Sequence, residues 1–342
     1  MTPGEFDLIE RLLARLGDSA ATTILVPPGD DAAAWTMPPQ AAAVASVDTL
    51  VQGTHWRPDT MGYADVGWRA AATALSDLAA MGAYADLLLV ACVLGPSLAA
   101  EDLDAVALGL AEACSEHGVR IAGGDTARGA TTSITVTALG YALPRAGGEP
   151  APLLRRSGAR AGDAIAVSGR PGAAAAGLAL LDAGGALDPA ARPLLAAHRR
   201  PRARLELGRR ALAAGARGAV DISDGLVQDL GHLARASGVS VALELSSLPL
   251  HPAATGLLGK QRARDLALGG GDDYELLLAG DAPALGRLAG PGLEVTLIGR
   301  ALPPSGAAPA GTVRVLGERG EAYEPPSAGW DHLRSAAGAP GR

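Results

Sequence analysis

The chain has a single lysine, Lys260, so arginine carries nearly all of its positive charge. That lysine lies in "LLGKQR", and no G-x-x-x-x-G-K-[ST] loop occurs, which removes the commonest lysine-based phosphate cradle. Two cysteines are too few for a disulfide framework and form no metal-binding pair; Cys92 in "LLLVACVL" and Cys114 in a helix-like segment read as small buried hydrophobes. Kinase-type catalytic loops and paired Cys/His zinc spacings are missing as well. No apolar run approaches the roughly 20 residues of a membrane span. The opening "MTPGEFDLIERLL" carries charges where a signal peptide would carry its apolar core. A soluble cytoplasmic protein with no membrane partner is expected. The net charge of −7 argues against nucleic acid, whose binding rests on clustered Lys and Arg.

What is present is apolar and regularly patterned. With 342 residues, 48% of them hydrophobic, the chain is long enough for two domains that each bury a core. Phe6, Ile9, Leu12, Leu13 and Leu16 recur at helical spacing and are closed by Gly17. "AAAVASVDTL" reads as a strand ending at Asp48. "DVGWRAAATALSDLAAMGA" reads as a helix with Trp68, Ala71, Leu75 and Leu78 inward, and Asp77 on another stripe with Thr73 and Ala70, small neighbours that leave ligand space. "LLLVACVL" reads as a buried strand, and the helix of Leu103, Val106, Leu110 and Ala113 ends at Gly118. "VRIAGGDTARG" predicts a short strand entering a Gly-rich turn that displays Asp125, and "TSITVTALGYAL" a half-exposed strand. Pro, Gly and Arg crowd residues 144–163, the expected boundary. Beyond it come the strand "AIAVSG", the helix "GAAAAGLALLDAGG" and the strand "VSVALEL". "GAVDISDGLVQDLGHLARASG" gives strand, turn and helix, with Ser223 or Asp224 able to cap the helix, and "ALGGGDDYELLLAG" gives a loop and a strand. Alternating strands and helices in both halves predict two α/β or α+β units: residues 1–143, residues 144–335 and a disordered tail, 336–342.

Single carboxylates stand at glycine- or serine-edged corners in both halves: Asp30, Asp48, Asp77, Asp125, Asp221 and Asp224. One such Asp alone is a turn or cap residue. Several together suit Mg²⁺, which takes oxygen ligands, keeps waters, and uses one or two carboxylates beside substrate phosphates. With no lysine loop available, a bound triphosphate would be neutralised by metal ions and arginines.

The blocks "GEFDLIERL", "GDDAA", "SVDTLVQGTHW", "SDLAAMGA", "GGDTARG", "RSGARAGD", "DISDGLVQDLGHLARASG" and "GGDDYELL" resemble, in order, those of the thiamine-monophosphate kinase family. That family belongs to the AIR-synthetase-like ATP-dependent enzymes, and the resemblance runs from residue 4 to about residue 333. It implies an N-terminal ATP- and Mg²⁺-binding domain that pairs into a barrel across a homodimer, and a C-terminal α/β domain that completes the site. The implied reaction is Mg²⁺-dependent transfer of the ATP γ-phosphate to thiamine monophosphate, giving thiamine diphosphate and ADP. By motif, Asp30, Asp48, Asp77, Asp125, Asp221 and Asp224 resemble carboxylate ligands of several Mg²⁺ ions. Ser46 and the backbone of Val47 resemble further metal-side oxygens. Gly124, Asp125, Arg156 and Ser223 resemble ATP contacts, and His55, Asp272 and Trp330 resemble substrate contacts. No residue is expected to be a general base.

Two departures mark the pattern. The family usually reads G-G-E-D-Y-E-L, so Asp272 stands where a longer glutamate is expected, and "GWDHL" offers Trp330 where the family resemblance implies an aromatic that stacks on the thiamine ring. "RAGGEPAPLL" is longer than the usual connection, and a surface loop tolerates that. The alternatives are another enzyme of the same fold, such as AIR synthetase, or a nucleotide-binding regulator without catalysis. Selenophosphate synthetase would want a reactive Cys with a Lys near the N-terminus, and the hydrogenase-maturation relative a terminal Cys; this sequence has neither.

Overall fold

The computed structural model describes residues 23–330 except 29, 146, 148, 150, 186, 187, 291 and 292. The helix read at Phe6–Leu16 and the tail at 336–342 lie outside the described residues. The chain parts into two compact units after Pro152, with the turn Ala79–Gly82 counted in the second. The boundary therefore falls inside the Pro/Gly-rich stretch, a few residues past 143.

Besides a short hairpin, β1 (Ile24–Val26) with β2 (Ala34–Trp35), the first unit holds a four-stranded sheet. Its members are β3 (Ala42–Val51), β4 (Tyr84–Leu94), β5 (Arg120–Arg128) and β6 (Ser133–Ala142), in the order β3-β6-β4-β5. Strand β6 runs antiparallel to β3 and to β4, while β4 and β5 are parallel. The alternation in "SITVTALGYA" buries every second residue of β6, as a sheet with one covered face requires. Helix α1 (Tyr63–Ala80) covers the face that carries Val136, Ala138 and Leu88, all fully buried. A Cβ on Gly140 would lie 2.1 Å from the Tyr84 carbonyl of the neighbouring strand and 2.7 Å from Leu78 of that helix, so the strand offers glycine at a close backbone approach. On the opposite face Val47 is 62% exposed, and Tyr84 stacks on Tyr141 at 5.3 Å.

Helix α2 (Ala100–His117) ends where the sequence says it should, with Gly118 in the left-handed conformation at φ 66°. It meets α1 with almost no side chain between them. A Cβ on Gly67 would stand 2.0 Å from the Val106 carbonyl, and one on Gly109 1.7 Å from that of Ala64. Burial corrects one expectation. Ala70 and Thr73 are each 1% exposed, so the stripe shared with Asp77 is filled by packing and leaves no ligand space. Asp125 corrects another: it lies inside continuous strand β5, not on a turn.

The second unit is built on a seven-stranded sheet. Its strands are β7 (Ala164–Ser168), β8 (Gly218–Asp221), β9 (Ser240–Glu244), β10 (Leu276–Gly280), β11 (Val295–Leu302), β12 (Val313–Leu316) and β13 (Ala322–Tyr323). They lie in the order β13-β12-β9-β11-β7-β10-β8, with only β12 and β9 parallel. The strands "AIAVS", "LLLAG" and the edge strand "GAVD" do not alternate, because both their faces are buried. Leu226, Leu230 and Leu233 of α6 (Leu226–Ser237) are fully buried in one core with Ile165, Val167, Val220 and Leu277. A second apolar cluster joins α3 (Ala173–Asp182), α4 (Arg192–Arg199), α7 (Pro252–Leu258) and α8 (Lys260–Gly269). Two further helices are α5 (Leu205–Ala213) and the short α9 (Ala282–Gly286).

Candidate active site

In the first unit the pairing register sorts the candidate residues by face. Asp48 pairs with Val136 and Val136 with Val90, while Thr49, Thr135, Ala91 and Asp125 form the next cross-strand row. Side chains of one row share a face and adjacent rows alternate. Asp48 and Ser46 therefore lie on the side of α1, and Asp125 on the other side with Thr135. Ser46 donates its hydroxyl proton to the Asp77 carboxylate, which joins β3 to α1 through an oxygen pair. Asp30 and Asp125 line a cavity of about 600 Å³, with Asp31, Trp35, Gly123, Gly124, Thr135 and Thr137 among its walls. Gly124 has a packing reason of its own: a Cβ there would meet the Val90 carbonyl at 2.0 Å across the parallel pair.

His55 is held by a turn in which its N–H donates to the Val51 carbonyl at 2.9 Å. Its Nδ1 accepts the Val51 N–H at 3.0 Å, so in the neutral ring Nε2 carries the proton.

In the second unit four segments carry the candidates. Asp221, 4% exposed, ends β8, and Ser223 and Asp224 follow it. Neither of these caps α6, whose N-cap is Gly225. Instead Asp229, one turn into the helix, turns back: its Oδ2 accepts the N–H groups of Ser223, Asp224 and Gly225 at 3.0, 3.0 and 3.1 Å. An acid inside the helix thus satisfies three donors of the turn that leads into it, the last being the N-cap N–H. Burial pushes the Asp229 carboxyl up to about 6, against the downward pull of those three donors.

Residues 270–275 are tied alongside. Asp272 N–H donates to the Ser223 carbonyl at 2.8 Å, Tyr274 N–H to that of Ile222 at 2.9 Å, and Ile222 N–H to that of Glu275 at 2.8 Å. Asp272 and Tyr274 both have positive φ, 69° and 51°, a conformation unusual for residues other than glycine. Two carboxylates hold this loop. Asp273 accepts N–H groups of Gly172 and Ala174 at the start of α3, at 2.6 and 3.1 Å. Glu275 accepts from the Ser168 hydroxyl and, through two nitrogens, from Arg204, with Nε at 2.8 Å. Asp272 is 8% exposed and accepts a hydrogen bond from the Tyr274 hydroxyl at 3.3 Å. Arg156 is exposed, on the 3-10 turn Arg156–Gly158, whose first carbonyl accepts the Ser237 hydroxyl at 2.7 Å. Trp330 is half-buried, and its N–H donates to the Asp224 carbonyl at 3.0 Å.

Among the described residues, no three His, Cys, Asp or Glu side chains lie close enough to cage a metal ion. The donors that do occur, carboxylates and a serine hydroxyl, are hard oxygens of the kind Mg²⁺ takes sparsely beside waters and phosphates. They fit such an ion. Sequence reasoning missed Asp229, Asp273, Glu275 and Arg204. For Asp229 a signal was present, an acid in the first turn after a Ser-Asp-Gly corner.

Residues 29–142 match the family model of the AIR synthase related protein N-terminal domain, and residues 160–305 that of its C-terminal domain. These two domains in tandem define the class, a two-domain α/β fold of the AIR synthase type. The thiamine-monophosphate kinase of Haemophilus influenzae is 38% identical over 280 residues, 81% of either chain. The crystal structure of the thiamine-monophosphate kinase from Stenotrophomonas maltophilia superposes with a TM-score of 0.80 at 38% identity, over 94% of this chain and 99% of that one. AaThiL complexed with AMPPCP and TMP superposes at 0.74 and 28% identity, over 96% and 97% of the two chains. Within its class, the chain belongs to the thiamine-monophosphate kinase family.

Proposed function

We propose that this chain transfers the γ-phosphoryl group of ATP to thiamine monophosphate, producing ADP and thiamine diphosphate. The observation that carries the reading is 38% identity sustained over 94% of the chain on a shared fold. The related complex with AMPPCP and TMP supports both substrates.

The chemistry suits the residues. A terminal phosphate has a second pKa near 6, so at neutral pH the acceptor is already largely a dianion. The nucleophile needs no base; the barrier is the repulsion between two anions and their alignment. His55, with its Nδ1 occupied by the Val51 N–H, presents an Nε2–H donor for the acceptor phosphate. Gly124, Asp125, Arg156 and Ser223 are assigned to ATP, Arg156 through its charge. Asp272 is assigned to the thiamine, and Trp330 to its cationic thiazolium, for which an indole face is the best aromatic platform. Mg²⁺, assigned to Asp30, Ser46, the Val47 carbonyl, Asp48 and Asp77, together with Asp125, Asp221 and Asp224, would supply charge neutralisation. A homodimer that pairs through the sheet face of Val47, Tyr84 and Tyr141 and a cytoplasmic location belong to the same proposal.

Purified protein, ATP, MgCl₂ and thiamine monophosphate should yield thiamine diphosphate by chromatography, and EDTA should stop the reaction. Binding of both ligands without product would favour a regulator. Turnover of formylglycinamidine ribonucleotide would favour AIR synthetase. Light scattering at the mass of one chain would remove the homodimer.

A further inference from the structure

The start of helix α6 meets a segment close to the end of the described chain, Ser327–Trp330. Gln228, the third residue of the helix, holds that segment twice. Its backbone N–H donates to the Ala328 carbonyl at 3.0 Å, and its side-chain amide donates to the Trp330 carbonyl at 2.6 Å. The Trp330 N–H donates in turn to the Asp224 carbonyl, two residues ahead of the same helix. Glycines permit the close approach. A Cβ on Gly225 would stand 3.1 Å from the Gly329 Cα, and one on Gly329 2.6 Å from the Gln228 Cβ. Both backbone polar groups of Trp330 are therefore fixed by the turn that also carries Ser223 and Asp224.

We infer that Gln228 is a positioning residue that sets the indole of Trp330 for the substrate's ring system. The inference rests on the assignment of Trp330 to thiamine made above. An aromatic platform is useful only if its plane is fixed before the ligand arrives, because ordering a loose segment on binding subtracts from affinity. A glutamine at 228 fixes it with a neutral N–H donor aimed at the Trp330 carbonyl. Glutamate at 228 has nearly the same shape but no donor at neutral pH, and it would turn an anionic oxygen toward the Trp330 carbonyl. Methionine keeps the length and removes the polarity. Lysine restores an N–H donor.

Steady-state kinetics on the full chain tests this, with thermal melts alongside. Gln228→Glu should raise KM for thiamine monophosphate roughly tenfold, since it forfeits a hydrogen bond and adds a repulsion. Its KM for ATP and its kcat should stay within about twofold of wild type. Gln228→Met should show a smaller rise, and Gln228→Lys should recover most of the loss. In a Trp330→Ala background Gln228→Glu should add nothing, because both changes act through one side chain. An unchanged KM for thiamine monophosphate in Gln228→Glu would overturn the role while leaving the kinase activity standing. So would a parallel change in both KM values and kcat with a lowered melting temperature, the mark of a merely structural contact. Additivity with Trp330→Ala would overturn it too. Failure of the wild-type protein to form thiamine diphosphate would overturn the kinase reading, and this role with it.

Discussion

Strand β3 of the first unit and strand β10 of the second are both made of small and branched apolar residues with little charge. In β3 only Leu50 is buried, whereas every residue of β10 is. The difference governs what each unit can do with a carboxylate. A partly covered strand leaves oxygens half-exposed even on its helix-facing side, as β3 does with Ser46 and Asp48. A sheet covered on both faces has to satisfy each acid internally. Asp163 takes Arg217, whose Nε lies 3.1 Å from Oδ1; Glu275 takes Arg204 and Ser168; Asp229 takes three backbone N–H groups. The first unit thus leaves Ser46 and Asp48 only half-covered, while Asp163, Glu275 and Asp229 of the second are part of the frame.

The sharpest way to break this contrast is to remove an acid from the open sheet. Asp77→Ala, Asp48→Ala and Asp125→Ala should each lower kcat by about a thousandfold, the scale of losing one preorganised electrostatic group, with little change in melting temperature. A near-normal kcat at saturating Mg²⁺ would take that residue out of the site. The mirror experiment is Arg217→Ala, which strands buried Asp163, 3% exposed. It should cost about 2–4 kcal/mol in urea unfolding, below the range for a fully buried pair because the guanidinium partly meets solvent. A loss within measurement error would mean that the second unit's acids are no more structural than the first's. The smallest effect concerns the covered side of the open sheet. Burial pushes the thiol of Cys92 up to about 11 and that of Cys114 to about 12. A raised thiol pKa favours the unreactive protonated form, so at pH 8 about one Cys92 in a thousand is thiolate. A thiol reagent at pH 8 should label neither until denaturant is added, and prompt labelling of Cys92 would show that this side is wetter than its packing implies.

Much of the fold was legible because hydrophobic spacing is local. Leu226, Leu230 and Leu233 could be assigned inward from a 3.6-residue period, and Gly118 could be read as a helix stop. The continuity of β5 through Gly123 and Gly124 was hidden. Two glycines signal a turn unless one knows that the Val90 carbonyl of a parallel neighbour needs the space. The candidate site was proposed from motif blocks, with Asp272 as the shorter residue. Its support was not: Asp229 joined to three amides, or Glu275 to Arg204, are pairings between groups whose sequence separation encodes no contact. The filled stripe beside Asp77 failed for a similar reason, since small residues read equally well as room for a ligand or as positions of close packing.

The 2.0 Å gap between the Val90 carbonyl and any side chain at residue 124 has a consequence for variation. With glycine alone admitted beside the cavity wall, that position is closed to ordinary drift. A library randomised there should return a single survivor, however generously the neighbouring codons are allowed to change.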